Sequence, residues 1–341
     1  MAFKSDYIIK QELNSIGEVG NLKLRIFPGS SREDQIHWVD GGLCFGKVDL
    51  LYGSNDAVWY AEQAWRDPLT NRESAVKPVI AVEGTLALER GSSGNAQYQR
   101  FFHALGAVLS GVIGIYYLRE GKDSLRYDMP MAALNAGEMH NCDYFVTTDL
   151  EDVRKIVETV GLHGTASREY FELSKMLKNR MSTYFTQSMK RIHNGDINDY
   201  FKHRSIIKLP DGKNIKYLAG NYRNFTESSQ RGGHVILGEF LLAKYFLKER
   251  FYFFLPRMTH NDIARLDNSD KKEWKVIRAD DQGKVITMED LEGIPGRIER
   301  GILELKNTPL GGPTSSVAKV KWNRLINELR DLIKRGVAKI K

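Results

Sequence analysis

The chain has 341 residues, is 42% hydrophobic and 27% charged, and carries a formal net charge of +7. These values are typical of a folded protein with one large or two ordinary domains, and they exclude a chain that is disordered throughout. No stretch reaches about 18 apolar residues and the first residues lack the apolar middle of a secretory signal, so we expect a cytoplasmic protein without a membrane span.

The first half of the chain predicts an α/β arrangement. Residues 46–52 have the pattern of a short strand, and residues 57–65 fit either a helix or a strand. The continuous apolar run of residues 78–83 is typical of a buried strand. Residues 95–109 have the spacing of an amphipathic helix, and residues 112–118 are a further apolar run. A strand, a helix and a strand within about 40 residues predict a right-handed crossover between parallel strands.

The second half predicts α+β structure with many basic loops, so the fold class is α/β in the first half and α+β overall. The predicted elements are helices at 149–160, 167–192 and 235–250, a β-hairpin at 205–219, short strands at 251–255, 283–288 and 301–306, and a basic helix from about Val317. Residues 221–233 are polar and predict a loop.

Two carboxylates stand at the ends of predicted strands in the first half. Asp49 lies near the start of one strand, and Glu83 ends the next apolar strand. In an antiparallel pair the start of one strand lies beside the end of the other, so these two side chains can meet. A buried, unpartnered carboxylate is costly, and a divalent cation with oxygen ligands offsets that cost. The pair therefore predicts a Mg²⁺ site, which is the usual chemistry of phosphodiester cleavage.

The first acid of this pair has other candidates. Asp56 also begins a candidate strand, and it would serve if residues 57–65 pair with residues 78–83. Asp67 ranks below both. Glu62 is a candidate third carboxylate on the same segment.

Each carboxylate also has a purely structural interpretation. Asp49 would then be a surface side chain on an edge strand, where a charge is readily hydrated. Glu83 would form an ion pair with Arg90 or Arg100 instead of binding a metal. Both interpretations remain open at the level of the sequence.

Four consecutive segments of the chain resemble the core of the PD-(D/E)xK nuclease superfamily, which includes the type II restriction endonucleases: VDLLY, PVIAVEGT, RGSSGNAQYQRFFHALGAV and VIGIYYL. That family has an Asp at the start of one strand and (Asp/Glu)-x-Lys at the end of the next, followed by a helix and a fourth strand. The resemblance covers about residues 42–118. It implies a restriction-endonuclease-like core with a mixed central sheet flanked by helices, and Asp49 and Glu83 as metal ligands.

Two positions depart from the family pattern. Thr85 stands where the family usually has Lys, and Val48 stands where it often has Pro. Thr85 cannot be the cationic partner of an attacking water, although some members of the family lack this Lys. The helix residues Gln97, Gln99 and Arg100 resemble the polar helix that supports the active site in related nucleases. The candidate catalytic residues are Asp49, Glu83, Glu62 and Thr85.

The basic residues are concentrated in two blocks, which predict contacts with the backbone of DNA. Residues 175–225 contain eleven Lys or Arg and three Asp, and residues 315–341 contain eight Lys or Arg and two acids. The loop at residues 221–233 adds side chains suited to reading base edges in the major groove. The candidate DNA-binding residues are Arg100, Asn221, Arg223, Asn224, Gln230 and Arg231. The basic blocks and the polar loop could equally be solvated parts of the protein surface that bind no DNA.

Together these patterns predict a Mg²⁺-dependent, sequence-specific endonuclease that cleaves double-stranded DNA as a homodimer. Residues 1–150 would form the nuclease core, and residues 151–341 a DNA-binding and dimerisation region. Three alternatives remain: a structure-specific repair or recombination nuclease of the same superfamily, a non-catalytic DNA-binding protein on a decayed nuclease core, and a metal-independent enzyme on an unrelated α/β fold.

Overall fold

The computed structural model describes residues 2–27, 55–68, 71, 73–86, 93–119, 125–203, 206–208, 216–219, 230–306 and 315–341. The chain divides into two compact units, Met1–Ser188 and Met189–Lys341. Both units mix helices with strands, so the expected α+β class with a mixed central sheet and flanking helices is confirmed. Within the described ranges, every helix is too short or too polar to cross a membrane.

The first unit is built from a sheet with helices packed around it. Its strands are β1 (Lys23–Ile26), β2 (Ala57–Ala61), β3 (Trp65–Arg66), β4 (Glu73–Ser74), β5 (Lys77–Leu86), β6 (Ile113–Arg119) and β7 (Tyr144–Thr147). Its helices are α1 (Ala2–Ile16), α2 (Ser93–Leu109), α3 (Asp128–His140), α4 (Leu150–His163) and most of α5 (Arg168–His193).

Five strands form the central sheet in the order β1-β2-β5-β6-β7. The pairs β1–β2 and β2–β5 are antiparallel, whereas β5–β6 and β6–β7 are parallel. Helix α2 connects β5 to β6, which confirms the predicted strand–helix–strand crossover. The ambiguous segment after residue 56 is a strand, because Ala57, Val58 and Trp59 are buried between β1 and β5. The strand predicted at residues 46–52 lies outside the described residues.

Helix α1 packs very closely against β5 at Gly84. A Cβ atom at this position would lie 2.4 Å from the Cγ2 methyl of Ile9, which is closer than real carbon atoms approach. Glycine is therefore required here for the approach of the helix, and not for an unusual backbone conformation.

We expect Gly84→Ala to lower the stability of the protein by about 1–3 kcal/mol, because α1 must shift to accommodate the new methyl group. Adding Ile9→Ala removes the colliding methyl, so the double variant should be more stable than the sum of the two single effects predicts. Urea denaturation of the two single variants and the double variant measures this coupling. Strictly additive losses would contradict the close contact.

The second unit combines a four-stranded sheet, short two-stranded pairing and several helices. Its elements are α6 (Ile197–His203), β8 (Ile206–Lys208), β9 (Lys216–Ala219), α7 (Gln230–Leu247), β10 (Phe251–Phe254), α8 (His260–Asp267), α9 (Lys272–Arg278), β11 (Gly283–Ile286), β12 (Leu291–Glu292), α10 (Gly296–Lys306), α11 (Ser315–Lys334) and β13 (Lys339–Ile340). Four strands form a sheet in the order β11-β10-β9-β8, in which only the β8–β9 hairpin is antiparallel. This hairpin was predicted.

Two predictions for the second unit are wrong. The expected strand at residues 301–306 is the end of helix α10, because Ile298, Ile302 and Leu305 are buried at helical spacing against α11. The expected loop at residues 221–233 is also wrong for residues 230–233, which begin α7. The buried apolar face that follows outweighs the low helix propensity of the two glycines there. Residues 221–229 lie outside the described part of the chain.

Candidate active site

The antiparallel pairing of β2 with β5 brings Asp56 and Glu83 to the same end of the sheet. Ala57 pairs with Val82, so Asp56 stands one residue further along the ladder, beside Glu83. The Asp56 backbone N–H donates to the Val82 carbonyl at 2.9 Å, and its Oδ2 accepts a hydrogen bond from the Gly84 N–H at 2.8 Å. The pairing of β2 with β5 is the one under which Asp56 would be the first acid.

Glu83 is surrounded by cationic and potentially cationic side chains of helix α2. It is 1% exposed, and its Oε1 accepts a hydrogen bond from the Arg100 guanidinium. The Nδ1 atom of His103 lies 3.1 Å from the same oxygen. Arg100 and His103 are three residues apart, so they share one face of α2. The ion pair of Glu83 with Arg100, left open by the sequence, is present.

The two carboxylates raise the cost of ionisation at this site. The pKa of Asp56 is raised to about 7, first by burial and second by the negative charge of Glu83. Arg100, Lys10 and the Gly84 N–H act in the opposite direction, since each stabilises the ionised carboxylate. A site in which two buried carboxylates lie together is one that gains from a bound cation.

Sequence reasoning missed two members of the site, His103 of α2 and Lys10 of helix α1. Lys10 is the more distant of the two along the chain. Its Nζ lies 3.7 Å from Oδ1 of Asp56, and its side chain is only 12% exposed. No local pattern marks this lysine, because 45 residues separate it from Asp56 and its place depends on how α1 packs on the sheet. Only the tertiary structure brings it to the carboxylates.

The other candidate catalytic residues are placed differently. Thr85 is buried and lies two residues beyond Glu83 on β5, so both side chains point to the same face of the sheet. Glu62 is exposed and follows the opposite end of β2 from Asp56, so the structure does not bring it to Glu83. Asp49 lies outside the described residues.

The residues expected on the supporting helix and in the DNA-reading loop are only partly described. Gln97 is buried in α2, and its Oε1 accepts a hydrogen bond from the Arg126 backbone N–H at 2.9 Å. Gln99 also lies in α2, and Gln230 and Arg231 begin α7; only their backbones are described. The remaining three candidates lie outside the described residues: Asn221, Arg223 and Asn224.

Two further polar groups are buried next to the carboxylates. Tyr116 on β6 is the register partner of Glu83, and Asn55 directly precedes Asp56. In the described part of the chain, neither the Tyr116 hydroxyl nor the Asn55 amide has a hydrogen-bond partner. Buried polar groups normally have partners in protein or ordered water. The Tyr116 hydroxyl, on the strand position next to Glu83, can therefore contribute a hydrogen bond to water or to a ligand held near the carboxylates.

The carboxylates suit a cation that keeps part of its water shell. Among the described residues, no three His, Cys, Asp or Glu side chains are grouped as a metal site. Asp56 and Glu83 offer two carboxylates, and Mg²⁺ typically binds through one or two carboxylates together with water and phosphate oxygens. Two carboxylates match this pattern of Mg²⁺ binding, and the described residues contain no all-protein metal cage.

Comparisons of the chain with protein-family models, with curated proteins and with solved structures found no match. A fold by itself does not define a function, so the chemistry of the site has to indicate it. The fold and the site define an α+β protein with a mixed sheet, at one end of which two buried carboxylates meet a lysine, an arginine and a histidine.

Proposed function

We propose that the protein is a Mg²⁺-dependent endonuclease that hydrolyses phosphodiester bonds in double-stranded DNA, with Asp56 and Glu83 as the metal ligands. The observation that carries this proposal is the placement of Asp56 beside Glu83, where burial and mutual repulsion raise the pKa of Asp56 to about 7. Such a pair is suited to a divalent cation at the pH of the cytoplasm.

The topology of the first unit supports the same proposal. Helix α1 is followed by the antiparallel strands β1, β2 and β5, then by α2 and the parallel strand β6. An acid precedes one strand, a second acid lies near the end of the next, and a helix and a parallel strand follow. This is the order that the resemblance to PD-(D/E)xK nucleases implies, with Asp56 in place of Asp49.

Each side chain has a task in this proposal. Asp56 and Glu83 would hold Mg²⁺, which when bound lowers the pKa of a water ligand and neutralises charge on the leaving oxygen. Cation binding at Oε1 of Glu83 competes with Arg100 and His103 for that oxygen. Arg100 is 24% exposed, so its guanidinium can reach a phosphate group of the substrate once it leaves Glu83. Burial of Glu83 limits competition by bulk water.

Recognition of a particular DNA sequence and action as a homodimer belong to the proposal as well. The basic composition of residues 175–225 and 315–341 supports binding to a polyanion, which should weaken steeply with salt. Two sites related by a two-fold axis would cut both strands of a palindrome. The polar segment from Asn221 to Arg231 is proposed as the part that reads base edges.

Digestion of phage DNA with and without Mg²⁺ tests the proposal. We expect a fixed set of discrete fragments that is lost when EDTA removes the metal, because cleavage at a specific sequence cuts each genome at the same positions. Cutting only of branched or end-bearing DNA would replace the proposal with a structure-specific nuclease. Failure to cut any duplex or branched DNA would contradict it.

A second candidate function is that of a non-catalytic DNA-binding protein on a decayed nuclease core. The observation in its favour is that Arg100 and His103 already satisfy Glu83 without a metal. It is also supported by Thr85, which supplies no charge where the family usually has Lys. Under this function, DNA binding is salt-sensitive, no DNA is cut, and Glu83→Gln leaves binding unchanged.

A further inference from the structure

Lys10 presents an almost buried ammonium group to the candidate active site. Its side chain is 12% exposed, and its Nζ lies 3.7 Å from Oδ1 of Asp56. Charge-assisted hydrogen bonds between an ammonium and a carboxylate are typically about 2.7–2.9 Å long. The contact with Asp56 is therefore a Coulombic attraction at longer range and not a hydrogen bond.

The hydrogen-bonding capacity of Lys10 is not used within the described part of the chain. The ammonium has three donors, and it forms no hydrogen bond with the described residues. Burying a charged group is costly unless acceptors surround it. The nearby Asp56 supplies the opposite charge, and the three donors remain available to an anionic oxygen.

The position of Lys10 is fixed by contacts on both sides of it along α1. Ile9 packs against Gly84 of β5 at a distance that admits no additional methyl group. Glu12 accepts hydrogen bonds from the Arg119 guanidinium at 2.5 Å and from the Tyr117 hydroxyl at 3.1 Å. The Lys10 backbone is thus held in place before any ligand arrives, and the side chain it carries is mostly buried beside Asp56. A charge contributes most to catalysis when it is placed near the reacting group in advance.

Lys10 and Arg100 differ in how they contact the carboxylates of the site. The Arg100 guanidinium is hydrogen-bonded to Glu83, whereas Lys10 has no comparable bond with Asp56. Thr85, although on the same face as Glu83, carries no charge. Lys10 is therefore the cationic side chain that is already positioned next to a candidate metal ligand and still able to donate hydrogen bonds.

We propose that Lys10 is a catalytic residue whose ammonium donates a hydrogen bond to a non-bridging oxygen of the scissile phosphodiester; this rests on the nuclease function proposed above. The attacking water forms the new oxygen–phosphorus bond and releases a proton to solvent, while the bond from phosphorus to the leaving oxygen breaks. The leaving oxygen takes a proton from solvent. The Lys10 ammonium offsets the negative charge that accumulates on the phosphoryl oxygens.

The test compares the wild type with Lys10→Met, Lys10→Arg and the matched control Lys23→Met, all as full-length proteins. Lys23 is a half-exposed lysine on β1 that pairs with Glu18 and not with Asp56 or Glu83, so its loss leaves the site intact. Cleavage of a plasmid or oligonucleotide substrate gives kcat and KM over a series of Mg²⁺ concentrations, which extends beyond the concentration that saturates the wild type. Thermal denaturation and DNA affinity in Ca²⁺ report folding and binding separately.

We expect Lys10→Met to lower kcat by about 10²- to 10³-fold, as removal of a preorganised charge-stabilising group does, with KM and DNA affinity within about threefold of the wild type. Lys10→Arg should recover at least about tenfold of the lost kcat, because it restores the charge. Lys23→Met should behave as the wild type. If Lys10→Met melts at a clearly lower temperature, Lys10→Gln replaces it, since its neutral amide also lacks the charge but is less costly than an apolar side chain next to the Asp56 carboxylate.

Three outcomes overturn the inference. Undiminished cleavage by Lys10→Met shows that the ammonium takes no part in the reaction. Recovery of full kcat by Lys10→Met at higher Mg²⁺ concentration shows that Lys10 only supports Asp56 as a ligand. Absence of any cleavage by the wild type overturns the proposed function and this inference with it. Cleavage by the wild type that Lys10→Met leaves unchanged overturns this inference alone.

Discussion

Glu83→Gln and Asp56→Asn should each lower the rate of DNA cleavage by about a thousandfold or more, because each removes a charged ligand of the proposed Mg²⁺ site. Both substitutions keep the size of the side chain and its place at the end of the sheet. DNA affinity measured in Ca²⁺ should stay within a few-fold of the wild type, since the basic blocks proposed to bind the DNA backbone lie elsewhere in the sequence.

Glu62→Gln is the matched control for these two variants. Glu62 is an exposed acid beyond the opposite end of β2, so its neutralisation should leave the cleavage rate unchanged. Full activity in either Glu83→Gln or Asp56→Asn would remove that residue from the site. Equal losses in all three variants would point to a general effect of surface charge on DNA binding.

Glu83→Gln needs a second comparison because it leaves Arg100 beside a neutral amide. An arginine that loses a buried partner is costly, so the variant can lose stability for a reason unrelated to metal binding. The double variant Glu83→Gln/Arg100→Gln removes both charges and should melt closer to the wild type than the single variant does. Cleavage should remain absent in both, because neither restores the ligand.

Parts of the fold could be predicted from local patterns. Strand β5 corresponds to a continuous apolar run, and helix α2 to apolar residues at helical spacing before the next apolar run, β6. Few other arrangements are compatible with this sequence of patterns. Helix α4 also follows its prediction, because Asp149 accepts a hydrogen bond from the Glu151 N–H and caps the helix. These features are determined by residues close together in the sequence.

The register of the sheet could not be predicted, because strand pairing joins distant segments. Residues 57–61 are as compatible with a helix as with a strand until β1 and β5 bury them. Asp56 therefore stayed an alternative to Asp49 in the sequence, although the pairing that would favour it was recognisable. Only the register, in which Ala57 faces Val82, places Asp56 beside Glu83.

The metal-site and ion-pair interpretations of Glu83 also could not be separated from the sequence. The structure places Arg100 and His103 on one oxygen of Glu83 and Asp56 next to it, so both interpretations describe the same cluster. A cation that enters must displace or rearrange Arg100. Under the proposed function, the ion pair is the form of the site before a metal and a substrate bind.

The stability of the metal-free protein should fall as pH rises from about 4 to about 7 through the ionisation of Asp56. The pKa of Asp56 is raised from 3.8 to about 7, mainly by burial and then by Glu83. The folded protein therefore holds this proton more tightly than the unfolded chain does. Its stabilising contribution is complete below about pH 4, is lost up to about pH 7 and stays lost above it, with a total on the order of a few kcal/mol.

Asp56→Asn isolates this contribution from those of the other acids. The asparagine cannot ionise. The variant should therefore lose less stability than the wild type between pH 5 and pH 8, as measured by urea denaturation. Acids such as Asp262 and Asp290, whose pKa values are lowered, change stability in the opposite direction in both proteins and cancel in the comparison. Equal pH dependence in the two proteins would refute the raised pKa.

Mg²⁺ should restore the stability that the wild type loses between pH 5 and pH 8. It should add little stability at pH 5, because there the cation must displace the proton that Asp56 holds. Ligand binding to the folded state raises its stability in proportion to the logarithm of the ligand concentration, so the Mg²⁺ dependence at pH 8 measures the affinity. Asp56→Asn should show no such gain. If Mg²⁺ does not raise the stability of the wild type at pH 8, the two carboxylates do not bind the cation. That result would favour the non-catalytic DNA-binding protein on a decayed nuclease core.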